Sequence, residues 1–87
     1  MPTKRRKMLG RYIVADPKIC HGKPTFVGTR IMVWQVLQQL AKNESWDEIV
    51  SEWRGSVTKE AIAEAISLAG RIFQDRATKY KAESIPA

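Results

Sequence analysis

The sequence predicts a mainly α fold, with a short N-terminal β-ribbon followed by a three-helix, helix-turn-helix-like bundle. Three observations carry this. Two β-prone segments within residues 12–27 are each bounded by proline or glycine. From Met32 onward the apolar residues take up the i, i+3, i+4 spacing of a helix. That helical region is then cut twice, near Asn43 and near Gly55, by residues that stop one helix and cap the next.

The first strand is Tyr12-Ile13-Val14-Ala15. Asp16-Pro17 turns the chain after it, because proline fixes its own φ and restricts the residue before it. Cys20-His21-Gly22-Lys23-Pro24 is a second turn region. Thr25-Phe26-Val27 is the second strand, ended by Gly28, which is free to take positive φ. In the first helix Val33, Val36, Leu37 and Leu40 share one face, while Gln35, Gln38, Gln39 and Lys42 share the other. Asn43 tolerates the left-handed conformation that closes it. Ser45-Trp46-Asp47-Glu48 is a capping box, and Trp46, Ile49, Val50 and Trp53 form the stripe of a short second helix ended by Arg54-Gly55. Thr58 caps the third helix and Glu60 lies near its positive end. Ile62, Ala65, Ile66, Ala69, Ile72 and Phe73 are its expected core stripe, and it should run to about Ala77. Gly70 weakens it slightly and permits close packing. Only about four residues separate the second and third helices, as in a helix-turn-helix.

With 87 residues the chain holds one small domain. At this size burial is modest, and a partner often adds stability. The expected organisation is a basic flexible arm over 1–11, one compact domain over 12–77 and a polar C-terminal tail over 78–87. The net charge of +6 is concentrated in the arm. Lys4, Arg5, Arg6, Lys7 and Arg11 stand there with no acid, leaving ten basic against nine acidic residues in the remainder. A mobile polycation is attracted to phosphates and releases their condensed counterions. These five residues, with Lys59 at the start of the third helix, are the candidate nucleic-acid contacts. The third helix itself should expose Lys59, Glu60, Ala63, Glu64, Ser67, Arg71 and Gln74. Two acids near its start argue against an ordinary recognition helix.

Nothing in the sequence calls for an enzyme, a metal or a cofactor. Cys20 and His21 are the only cysteine and histidine. As neighbours in an extended segment they should point to opposite faces. Gly22 and Gly28 lack the Gly-Lys-Ser/Thr element of a phosphate loop. Asp47, Glu48 and Glu52 read as an acidic solvent face. A single cysteine excludes an intramolecular disulfide, and no apolar run long enough for a signal peptide or membrane span follows the basic start. The expected location is the cytoplasm, with no membrane partner. Three tryptophans are many for this length. Trp34 lies off the first helix's stripe, beside Ile31, so it is either a core residue or a partner contact.

The stretch Ile19-Cys20-His21-Gly22-Lys23-Pro24, followed by Val27-Gly28-Thr29-Arg30-Ile31, is distinctive. It resembles domain-of-unknown-function family 433, whose members carry Ile-Cys-x-Gly-x-Pro and then Gly-Thr-Arg-Ile. The resemblance covers about residues 12–73. It implies a homeodomain-like three-helix fold behind a small β element. It also implies an antitoxin-like role beside a PIN-like nuclease toxin, with binding of the toxin and of operator DNA; the basic arm is the expected DNA contact, and a homodimer or hetero-oligomer the expected assembly. The motif residues Gly22, Pro24, Gly28, Thr29 and Arg30 are then structural or partner contacts, with no catalytic role to carry over. Arg30 suits an anchor between ribbon and bundle, or a contact to a phosphate or toxin carboxylate. PIN-type sites are acidic, so Arg71 or Arg76 entering such a site, or Glu48 or Glu52 competing at it, are candidate modes of neutralisation. The sequence departs from the family pattern at Met32, where many members have proline, at His21, where a small residue is usual, and at Arg54-Gly55, where proline is common. Partner specificity is therefore not carried over. The alternatives are a DNA-binding regulator without a toxin and a generic protein-interaction module.

Overall fold

The computed structural model describes residues 5–81, and the side chains of residues 5–77. Strands β1 (Lys7–Met8), β2 (Ile13–Ala15) and β3 (Pro24–Phe26) form one antiparallel sheet in that order. Lys7 stands opposite Ala15, and Ile13 opposite Phe26. Three helices follow: α1 (Val33–Ala41), α2 (Trp46–Glu52) and α3 (Lys59–Lys81). Ile13, Phe26, Val33, Val36, Ile49, Val57, Ala61, Ile62 and Ala65 make up the core between sheet and helices.

β1 corrects the sequence reading, which placed a free arm up to residue 11. Lys7 and Met8 pair with β2, and the Leu9 N–H donates to the Ile13 carbonyl at 2.9 Å. Leu9 itself packs against the core. A two-residue strand is too short to show a period, and its lysine hid it among the charges. The Cys20–Gly22 segment forms as the expected turn, closed by the Gly22 N–H on the Ile19 carbonyl at 3.0 Å. Its φ angles of 50°, 57° and 83° are left-handed, so Cys20 and His21 are not neighbours in an extended run.

The helix boundaries follow local chemistry. The Gln35 side chain accepts from the Met32 N–H at 3.0 Å and opens α1. Asn43, with φ 69°, follows its end. At α2 the Ser45 hydroxyl accepts from the Glu48 N–H at 3.1 Å, and the Glu48 carboxylate accepts from the Ser45 N–H at 2.8 Å. Those Ser45 groups, the backbone N–H foremost, hold Glu48 below its ordinary pKa. Arg54 and Gly55 reverse the chain with φ of 54° and 79°. The Thr58 hydroxyl accepts from the Ala61 N–H at 3.1 Å and caps α3.

The expected core stripe of α3 is only half buried. Ile62 and Ala65 are in the core, but Ile66, Ile72 and Phe73 are 43%, 57% and 73% exposed. Lengths explain this. At a rise of 1.5 Å per residue, α3 is about 34 Å long, whereas α1 and α2 reach only about 14 and 11 Å. The spacing of apolar residues identifies the face of α3 but not how much chain exists to cover it. The helix also runs past Ala77, to Lys81. Among the described residues no helix is long and apolar enough to cross a membrane.

Candidate functional site

Glu64 joins the basic ribbon to α3. Its carboxylate accepts from the backbone N–H of Arg11 at 2.8 Å and of Tyr12 at 2.7 Å. Gly10 makes room for it, since a Cβ there would stand 2.5 Å from the Glu64 carboxyl carbon. Glu64 is therefore not the open solvent acid that its place on the helix suggested. Two N–H donors partly satisfy its charge, and it fixes the turn between β1 and β2 on α3. Gly10 did not stand out in the sequence, and Glu64 did so only as an acid expected on the open face of α3. A glycine after Met8-Leu9 was the one available sign of a turn there.

The candidate nucleic-acid residues divide into two places. Lys7 is exposed on the outer strand of the sheet, and Arg5 and Arg6 are exposed in the residues just before it. Arg11 is exposed in the turn that Glu64 holds, with its guanidinium carbon 5.6 Å from the centre of the Tyr12 ring. These four form one basic edge. Lys59 does not join them. Its ammonium pairs with Asp47 at 2.7 Å, bridging the starts of α2 and α3. The hydrogen bond and charge of Asp47 raise the Lys59 pKa above its ordinary value. Lys4 lies outside the described residues.

The family-like motif builds the passage from β3 into α1. Gly22 and Gly28 have φ of 83° and 78°, which side chains resist. Pro24 opens an edge strand, where its missing N–H is tolerated. The Thr29 hydroxyl donates to the Phe26 carbonyl at 2.8 Å and accepts from the Ile31 N–H at 3.0 Å, closing the turn. The Cys20 thiol reaches the Arg30 carbonyl at 3.6 Å. The Arg30 side chain is exposed, with no hydrogen bond or ion pair to other described residues. The expected guanidinium anchor is thus absent. Thr29 and the Arg30 backbone hold the turn, and the guanidinium faces solvent.

Trp34 is 53% exposed on α1, and its indole N–H points to the Met32 sulfur at 3.3 Å. It edges an open groove of about 290 Å³ between α1 and α2, whose walls include Gln38, Lys42 and Trp53. Gln39 braces this groove. Its amide oxygen accepts from the Trp53 indole at 2.7 Å, and its amide nitrogen donates to Glu44 and Glu52. Glu52 is therefore tied within the fold, while Glu48 serves as the α2 cap. Arg71 and Arg76 are exposed on the free half of α3, beside Ile72. Among the described residues no three of His, Cys, Asp and Glu gather as metal ligands would.

The family model described as protein of unknown function (DUF433) matches residues 13–69. The match runs from β2 to the middle of α3. β1 and the free half of α3 lie beyond it. No curated protein and no solved structure matches the chain.

Proposed function

Since the chain belongs to the DUF433 family, we propose that it is the antitoxin-like member of a toxin–antitoxin pair. It acts in the cytoplasm by binding, without catalysis, and neutralises a PIN-like nuclease toxin. The observation that carries this reading is the free half of α3, where Ile72 is exposed between the cations Arg71 and Arg76. An apolar side chain flanked by guanidinium forks suits an acidic cleft. The forks match carboxylates in pairs, and the apolar group adds burial. Glu48 and Glu52 are weaker candidates for contact with the toxin, because both carboxylates already have partners within the fold. The test is expression of the tagged chain from its native genomic context, with mass identification of what elutes. A stoichiometric nuclease lost on Arg71→Glu/Arg76→Glu supports the reading. Elution without a partner contradicts it.

Operator DNA is the second ligand we propose, favoured by the basic edge. Lys7 and Arg11 lie on a ribbon whose turn Glu64 fixes to α3, and Arg5 and Arg6 lead into it. An arm partly held by a sheet loses less freedom on binding phosphates than a free polycation does.

A further inference from the structure

The exposed face of α3 is built in a regular order that its own fold does not use. Ala63, Ile66, Gly70, Phe73 and Ala77 follow one another at intervals of three and four residues, and Tyr80 continues the spacing. This is the a/d repeat of paired helices. The a places hold the small residues Ala63, Gly70 and Ala77, and the d places hold the large residues Ile66, Phe73 and Tyr80. The first five are all exposed. Gly70 carries the argument. It weakens the middle of a long helix, yet a Cβ there would meet nothing within 4 Å. Its own fold gives no reason for a glycine, whereas close approach of a second backbone does.

We propose that this face binds a second copy of the chain, with the two α3 helices antiparallel. In that arrangement every a place meets a d place. Ile66 then packs on Ala77 of the second copy, and Gly70 on its Phe73, both about one two-fold axis. A parallel pair sets large residues against large and small against small, leaving clashes and gaps in alternation. Charge selects the same direction. Residues 59–70 carry Lys59, Glu60 and Glu64, one positive and two negative, net −1. Residues 71–81 carry Arg71, Asp75, Arg76, Lys79 and Lys81, four positive and one negative, net +3. Antiparallel pairing brings these halves together, and parallel pairing sets the two +3 halves side by side. Glu64 takes a b place, on the other side of the helix, so both basic ribbons stay open. The inference does not rest on the toxin reading.

Sedimentation equilibrium of the full chain at micromolar concentration tests it. The expected mass is twice the 9.9 kDa of the chain. Gly70→Leu and Phe73→Asp should each return the monomer while keeping the helical circular dichroism, because both side chains lie in open space in a single copy. In a Cys20→Ser background, mixing Gly70→Cys chains with Phe73→Cys chains should give a disulfide-linked pair faster than either alone. A monomer at every concentration overturns the proposal. So does a dimer indifferent to Gly70→Leu, or cross-linking led by Phe73→Cys with itself, which marks parallel pairing. A face that is covered only when a different protein co-purifies overturns it too.

Discussion

At the scale of single residues, Glu64 and Gly10 decide whether the basic edge belongs to the domain. Two N–H groups converge on one carboxylate, so Glu64→Gln exchanges one acceptor oxygen for an amide that repels the second donor. Stability should fall by about 2 kcal/mol, read as a lower urea midpoint. Gly10→Ala should act through the same contact, because its new Cβ evicts the carboxylate. Its cost should largely vanish in a Glu64→Ala background, where nothing remains to evict. Thr25 gives the opposite case. It is fully buried, and its hydroxyl has no hydrogen-bond partner among the described residues. Thr25→Val removes an unsatisfied polar atom while keeping the shape, and should raise stability by about 1 kcal/mol in the same measurement. At Arg30, motif spacing drew attention to a guanidinium that faces solvent, while the Thr29 hydroxyl beside it closes the turn.

At the scale of elements, the sequence was most legible where a local rule is complete within a few residues. The Ser45–Glu48 box, the Thr58 cap, the Asn43 stop and the Arg54-Gly55 reversal all form where their residue types require them. Contacts distant in sequence were not legible. Nothing near Glu64 signals that its partners are the amides of Arg11 and Tyr12, and nothing in β1 announces a strand. The α3 stripe was recognised as apolar, but its exposure depends on the lengths of α1 and α2. The α2 box also gives a pH dependence. Glu48 is held below its ordinary 4.5, so its contribution is complete above that value. It is lost as pH falls through the lower, folded-state value. Acid titration followed by circular dichroism should show a helical loss in the wild type that is absent in Glu48→Gln, which lacks the charge at every pH.

At the scale of the whole molecule, the fold separates its surfaces. The sheet edge carries Lys7, with Arg5 and Arg6 leading into it, while the free half of α3 carries Arg71, Ile72 and Arg76. If the edge binds DNA, replacing Arg5, Arg6 and Lys7 together by Gln should flatten the plot of log affinity against log salt by about 2.7, at about 0.9 per phosphate contact. Deleting residues 1–11 is the poorer test. It removes β1 and Leu9 from the domain together with the charge. Toxin neutralisation should ignore the three Gln substitutions and fail on charge reversal at Arg71 and Arg76. The measurement that tests the central claim most directly is titration, with this protein, of a nuclease that co-purifies with it, while RNA cleavage is followed. The account predicts that cleavage ceases near equimolar protein, and that Arg71→Glu/Arg76→Glu leaves it running. Undiminished cleavage in the presence of excess wild-type protein would contradict the account.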